Sequence, residues 1–146
     1  MPTTVLTDPR SEVTRQRLID TGLALFGLYG FDGVTTRQLA QVARVNQAAI
    51  PYHFGGKEGV YLAVAEQITA RIAPQIQRLQ NELANRIDKE TPQALLLELT
   101  LSLADIAFTP EHQTSWFIFL TREQFHPTAA ADILHRGFIL RDPLIF

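Results

Sequence analysis

The side chains that could catalyse a reaction or bind a metal do not form a recognisable site in the sequence. Glu98 and Asp105 place two carboxylates in one strongly apolar segment, but no nucleophile, glycine-rich phosphate loop or metal ligand accompanies them. Cysteine is absent, which excludes disulfides and thiolate chemistry. His112, His126 and His135 lie in separate segments, without the i, i+4 spacing of a helical metal site. We therefore predict neither an enzyme nor a bound metal or cofactor.

Charge is distributed unevenly along the chain. The formal net charge is −2, yet six basic residues face four acidic ones between Arg10 and Leu62, which leaves the remainder with −4. The asymmetry is small, and it places any binding of nucleic acid in the N-terminal third. The opening MPTTVLTDPR has no signal-peptide core, and no apolar run approaches the roughly 20 residues of a membrane span. We expect a cytoplasmic protein that does not enter the membrane.

Apolar residues recur at helical spacing in the N-terminal half and predict helices there. The spacing predicts a first helix from Thr14 to Tyr29, ended by Gly30. Thr35 and Asn46 are N-cap candidates for two short helices joined by a tight turn. The first short helix should turn Leu39, Ala40 and Val42 inward, and the second should bury Ala49 and Ile50.

The C-terminal half also reads as helices. Lys57 begins a long helix with one apolar stripe, which Pro74 should either interrupt or bend. Thr91 and Pro92 begin a helix so apolar that we expect it to be central and buried. Two more helices should follow Pro110 and Pro127. No strand-type alternation persists, so the predicted class is all-α.

A short helix, a turn and a second short helix are the parts of a helix-turn-helix, whose second helix enters the major groove of DNA. Such pairs also occur as plain packing units, so the pattern alone leaves a helical interaction module open. The residues resemble the tetracycline-repressor (TetR) family: a helix begun by Thr35, a tight turn, a second helix ending in Tyr52-His53-Phe54, and a Lys57-Glu58 helix start. The preceding TRQRLIDTGLALFGLYGFDGVTT matches the family's first helix.

The resemblance covers Ser11 to Ile72 and implies the domain organisation. It implies a three-helix DNA-binding domain over 11–72, with the helix-turn-helix at about 35–54, followed by a helical effector-binding and dimerisation domain over 73–146. The implied function is a sequence-specific transcriptional regulator, a repressor released from DNA by a small-molecule effector. The implied partners are a palindromic double-stranded operator, the effector and a second copy of the chain.

The resemblance also implies which residues contact DNA. They are Thr36, Arg37, Asn46, Gln47, Ala48, Pro51, Tyr52, His53 and Lys57. Gln47, Ala48 and Pro51 match positions that face base edges, and the amide of Gln47 could read an adenine. The hydroxyl of Thr36 can meet a phosphate, and the last three residues of the set match backbone-contacting positions. Alternatively, His53 is a surface or capping histidine, Lys57 a solvated helix start, and Arg37 an exposed arginine without a ligand.

Two residues depart from the family pattern. Arg44 occupies the turn where such families often have glycine, and a bulky residue at positive φ is strained, so we expect a slightly different turn. Pro51 lies inside the predicted recognition helix, where it removes one backbone hydrogen bond. Either residue could alter the choice of operator without removing the fold.

The C-terminal segment FLTREQFHPTAAADIL resembles a subgroup of TetR-like regulators with a Ser/Thr-Arg-Glu-Gln…Pro-Thr-Ala motif. The predicted effector-binding residues are Trp116, Phe117, Leu120 and Arg122, although an apolar run of this kind is also what a simple core contains. The family continues with further helices that form the dimer bundle. Because this sequence stops at LRDPLIF, we expect a chain truncated at its C-terminus.

Overall fold

The computed structural model describes residues 8–108 and 113–138, and every regular element in those ranges is a helix. The helices are α1 (Pro9–Tyr29), α2 (Thr36–Ala43), α3 (Ala49–Phe54), α4 (Lys57–Ala84), α5 (Pro92–Phe108), α6 (Gln113–Phe125) and α7 (Ala129–Phe138). The chain divides into two compact units, one up to Val64 and one from Ala65 onward. None of the described helices is long and apolar enough to cross a bilayer. The all-α prediction is confirmed, whereas His112 and the LRDPLIF end lie outside the described residues.

The first helix begins earlier than the apolar spacing predicts. α1 starts at Pro9 rather than Thr14, because the Asp8 carboxylate accepts the backbone N–H of Arg10 at 3.0 Å. Pro9 occupies the first helical position, where a missing N–H costs no helical hydrogen bond. The extra turn is stabilised by this cap and leaves Val13 exposed, so it carries no apolar periodicity. The end at Gly30 is confirmed, with φ of 74°.

One core joins α1 to the two short helices and to the first turns of α4. Its fully buried side chains include Leu18, Phe26, Val34, Leu39, Ile50, Val60 and Val64. The ring of Tyr61 meets Phe26 and Phe31 edge to face, with ring centres 4.9 and 5.2 Å apart. Such pairs stabilise a fold beyond the area they bury. This core fixes the positions of α2 and α3.

The buried side of α2 differs by one residue from the prediction. Leu39 and Ala40 are buried as predicted, but Val42 is 58% exposed and Ala43 is buried instead. Residues 39, 40 and 43 share one face of a helix, whereas residue 42 lies at its flank, about 100° around the helix axis from the centre of that face. The prediction for Val42 was therefore wrong because it counted an apolar residue without its helical angle.

The predicted stripe of α4 is confirmed: Val60, Tyr61, Val64, Ile68 and Ile72 are all buried. The helix continues through Pro74 to Ala84 rather than restarting there. Proline lacks the N–H that would bond to the carbonyl four residues earlier, and the buried Ile72 and Leu79 lie on either side of this turn. A turn over residues 85–90, the polar stretch NRIDKE, follows the helix.

The prediction that α5 is central and buried was wrong for the described chain. Five of its large apolar side chains are exposed: Leu96, Leu97, Leu101, Leu103 and Phe108. The start of α5 agrees with the prediction, because the Thr91 hydroxyl accepts the backbone N–H of Ala94 at 3.3 Å. Apolar composition shows that a helix can be buried. The fraction of its surface that is actually buried depends on how many other elements pack around it.

Arg86 ties the loop after α4 to α5. Its guanidinium donates to both carboxylate oxygens of Glu90, each at 2.7 Å, and also to Glu98. The hydrogen bond to Glu90 is the main cause that raises the pKa of Arg86 above its usual value. Arginine is charged throughout the physiological range even without this shift.

Glu123 joins α6 to α7. Among the described residues it is the one buried charged or polar side chain, with 4% of its surface exposed. Its carboxylate accepts the backbone N–H of Thr128 at 2.9 Å and the hydroxyl of the same residue at 3.0 Å. The Thr128 hydroxyl in turn accepts the N–H of Ala130 at 3.1 Å and so caps α7. The Glu-Gln…Pro-Thr-Ala part of the motif thus builds the corner between these helices.

Candidate nucleic-acid interface

α2 begins with a complete capping box. The Thr35 hydroxyl accepts the backbone N–H of Gln38 at 3.2 Å, and the Gln38 side chain accepts the backbone N–H of Thr35 at 2.8 Å. Two N–H groups that the helix cannot satisfy by itself are therefore paired. The predicted N-cap at Thr35 is confirmed, and Thr36 becomes the first helical residue.

The turn between α2 and α3 has the conformation that glycine would adopt. Arg44 is left-handed, with φ of 56° and ψ of 47°, and it is the one described residue other than glycine with a positive φ. Its N–H donates to Gln41 at 3.3 Å, and the N–H of Val45 donates to Ala40 at 3.0 Å, which closes the helix end. The expectation of a different turn was wrong: the usual geometry is kept and Arg44 bears the strain.

α3 begins at Ala49, later than the Asn46 cap predicts. Asn46 instead forms a turn of its own, in which its side-chain oxygen accepts the backbone N–H of Ala48 at 2.9 Å. The N–H groups of Ala49 and Ile50 donate to Asn46 and Gln47 in i+3 hydrogen bonds. The turn that leads into α3 is thus tighter than a turn of α-helix. Gln47 and Ala48 lie in this turn and not in α3.

Pro51 is accommodated at low cost. It is the third residue of α3, and the N–H groups of a helix's first turn have no partner within that helix in any case. Ile50, one residue earlier, is fully buried and holds α3 on the core. Ala49, predicted to be buried, is only half-buried.

The outer side of α3 and of the turn before it forms a polar and aromatic surface. Its exposed residues are Asn46, Gln47, Ala48, Pro51 and Tyr52. Tyr52 is 81% exposed, and the half-buried ring of His53 meets it edge to face with ring centres 4.8 Å apart. Exposed aromatic and amide groups on a short anchored helix can contact base edges and phosphates.

The predicted residues of α2 meet this surface. Arg37 is exposed and Thr36 half-buried. The Gln47 amide nitrogen donates to the Thr36 hydroxyl oxygen at 3.2 Å, so the structure brings together one predicted base-reading residue and one predicted phosphate-contacting residue. Nothing in the one-dimensional sequence indicates this contact.

Lys57 makes internal contacts. Its ammonium nitrogen donates to the carbonyl oxygens of Phe31 and Val34 at 2.9 and 3.0 Å and lies 4.1 Å from the centre of the Phe31 ring. A cation held by two carbonyls and an aromatic face stabilises the turn between α1 and α2. The predicted contact of this residue with a phosphate remains a prediction.

Two arginines outside the predicted set lie near the same helices. Arg44 exposes its side chain in the α2–α3 turn. Arg15 places its guanidinium 5.4 Å from the centre of the Phe54 ring at the end of α3. In the sequence, these two arginines were indicated only by the excess of basic residues before Leu62. That excess gives the number of basic residues but not their positions in space.

The predicted effector residues are divided among different surroundings in the second unit. Leu120 lines an apolar cavity of about 330 Å³ together with Ile72, Ile76, Leu103, Ile106, Glu123, Gln124, Ala131, Leu134 and His135. Phe117 and Arg122 line a separate open cleft of about 360 Å³. Trp116 is buried and lies under the guanidinium of Arg71, 5.9 Å away. Trp116 lines neither of these two cavities.

The N-terminal unit is thus a helix-turn-helix domain with a free outer surface on its second short helix. A family model described as "Bacterial regulatory proteins, tetR family" matches residues 18–64. The chain is 35% identical over 136 residues to the HTH-type transcriptional dual regulator CecR of Shigella flexneri, covering 89% of this chain and 60% of that protein. Residues 18–64 thus carry the N-terminal domain of the TetR family of bacterial regulatory proteins.

Two further relatives are repressors by name. The chain is 27% identical over 132 residues to the HTH-type transcriptional repressor NicS of Pseudomonas putida, covering 90% of this chain and 54% of that protein. It is 28% identical over 117 residues to the HTH-type transcriptional repressor AcnR of Corynebacterium efficiens, covering 77% and 61%. The chain therefore spans between 54% and 61% of the length of these three relatives.

Proposed function

We propose that the protein is a sequence-specific DNA-binding transcriptional regulator that represses its target and is released by a small-molecule effector. The observation that carries this proposal is the exposed surface of α3 and its preceding turn, held on a buried core by Ile50. A short helix fixed in this way can enter a major groove without rearranging. Relatives named as regulators and repressors support the same function.

In this proposal, base reading and backbone contact are separate tasks. Gln47, Ala48 and Pro51 face the bases, and Asn46 shapes the turn that presents them. Contacts to the phosphates come from Thr36, Arg37, Tyr52, His53 and Lys57, and they position the domain without specifying sequence. A homodimer would place two copies of α3 in major grooves about 34–36 Å apart, which requires a palindromic operator.

We further propose that the domains lie at 11–72 and 73–146 and that the second binds the effector. The cavity beside Leu120 supports this, because its volume lies within the range of small-molecule sites. Its lining is chiefly apolar, and the Glu123 carboxylate is already bonded to Thr128, so a largely apolar effector fits. We propose no catalytic role, and we place the protein in the bacterial cytoplasm, where its DNA is.

Binding to DNA from around the protein's own gene tests the proposal. The full chain should bind one fragment tightly, and this binding should weaken as the salt concentration rises. It should bind unrelated DNA of equal length far more weakly. Gln47→Ala should weaken that binding and alter the preferred bases. Gln77→Ala is the matched control, because Gln77 is an exposed glutamine of the second unit, and it should change neither. Equal binding to every fragment would leave a helical interaction module as the better reading.

A further inference from the structure

The hydrogen bond between Gln47 and Thr36 links the base-reading turn to α2. The amide nitrogen of Gln47 donates to the hydroxyl oxygen of Thr36 at 3.2 Å, across eleven residues of sequence. Thr36 is the first residue of α2, and Gln47 lies in the turn that precedes α3 of the same helix-turn-helix. An exposed amide tied in this way has fewer orientations than a free one.

Thr36 differs from other threonines in the described helices. The hydroxyls of Thr14, Thr100 and Thr121 each donate to the backbone carbonyl four residues earlier, at 3.0, 2.8 and 2.7 Å. Thr36 is the first residue of α2, so no helical carbonyl lies four residues before it. Its hydroxyl is therefore not held by a carbonyl of its own helix, and its oxygen accepts from the Gln47 amide.

This bond decides which groups Gln47 can offer to a base. A glutamine amide carries two N–H donors and one oxygen acceptor. With one N–H on Thr36, the remaining N–H and the oxygen match the N7 acceptor and N6 donor of adenine. Guanine presents two acceptors, N7 and O6, and would need both N–H groups of the amide.

We propose that Thr36 is a specificity-determining positioning residue, which holds the Gln47 amide so that it reads adenine in preference to guanine. The inference rests on the proposed DNA-binding function and deepens it. Thr36 acts through Gln47 and need not touch a base. A phosphate contact from Thr36 would affect all sequences alike, so the two roles have different signatures.

The test is selection of preferred sequences from an operator library with the contacted base pair randomised, using the wild type, Thr36→Val and Thr36→Ser. Valine removes the hydroxyl at nearly the same volume, and serine keeps it. The wild type and Thr36→Ser should prefer adenine over guanine by about tenfold, the scale of one bidentate contact. Thr36→Val should lose most of that preference. In a Gln47→Ala background, Thr36→Val should change the preference no further.

The outcomes separate the two proposals. A wild type without any sequence preference would overturn the proposed function and this inference with it. A specific wild type whose adenine preference survives in Thr36→Val would overturn the inference alone. An equal loss of affinity for all four bases in Thr36→Val would likewise reduce Thr36 to a backbone contact. Matching thermal unfolding of Thr36→Val and Thr36→Ser ensures that the comparison is between folded proteins.

Discussion

The ammonium nitrogen of Lys57 lies 2.9 Å from the carbonyl oxygen of Phe31 and 4.1 Å from the centre of the ring of the same residue. The lysine thereby joins the start of α4 to the turn before α2. Lys57→Met should lower the free energy of unfolding by about 1.5–3 kcal/mol, the scale of hydrogen bonds to a charged donor. Denaturant unfolding measures this loss. Unchanged stability would show that the contacts of Lys57 with Phe31 and Val34 do not stabilise the fold.

The same variant decides whether Lys57 also neutralises a phosphate. The slope of log affinity against log salt concentration should fall by about one if the ammonium contacts DNA. If the carbonyls of Phe31 and Val34 retain the ammonium in the complex, the slope should stay the same. Arg37→Met is the control, because Arg37 is exposed and its proposed contact is with phosphate only. It should reduce the slope without affecting stability.

Arg44 bears conformational strain that glycine would relieve. Left-handed backbone costs a residue with a side chain about 1–2 kcal/mol, and the greater freedom of glycine in the unfolded chain offsets part of that. Arg44→Gly should therefore raise the free energy of unfolding by about 0.5–1 kcal/mol. Arg44→Ala, which keeps the strain, should not. Equal stabilities of the two variants would show that the turn stores no strain at this position.

Glu123 should be necessary for the corner between α6 and α7. Glu123→Ala removes the acceptor for the backbone N–H of Thr128 and should destabilise the second unit by about 1–3 kcal/mol. Thr128→Ala should cost a similar amount, and the double variant should cost less than the sum, because both belong to one interaction. Gln124→Ala changes the exposed neighbour and should be nearly neutral. Additive losses would show that the two residues act separately.

Gly22 is needed for close packing of α1 on α4. A Cβ at this position would lie 3.0 Å from a methyl carbon of Val60 and 3.1 Å from one of Val64. Valine in a helix has one preferred rotamer, so neither side chain can easily move away. Gly22→Ala should lower stability by about 1–2 kcal/mol despite the better helix propensity of alanine. Adding Val60→Ala should recover part of the loss, and a stabilised Gly22→Ala would refute the tight packing.

Local chemistry in the sequence determined the helices and most of their ends. Caps and stops such as Thr35, Gly30 and the glycines after Phe54 act within one or two helical turns. The apolar stripe from Val60 to Ile72 is longer, but it repeats a spacing of three or four residues within one helix. Each could therefore be predicted from neighbouring residues. The starts of α1 and α3 were misplaced because Asp8 with Pro9, and Asn46, form caps and tight turns that apolar periodicity does not register.

Only the tertiary structure decided which side chains meet. Three contacts depend on the angles at which helices pack: the hydrogen bonds of Gln47 with Thr36, of Lys57 with Phe31 and of Thr128 with Glu123. Those angles follow from the whole core. Burial is equally collective, since α5 is apolar enough for an interior yet leaves Leu97 and Phe108 exposed. Periodicity gives the direction of a side chain from its own helix axis, whereas a contact also requires the position of the second axis.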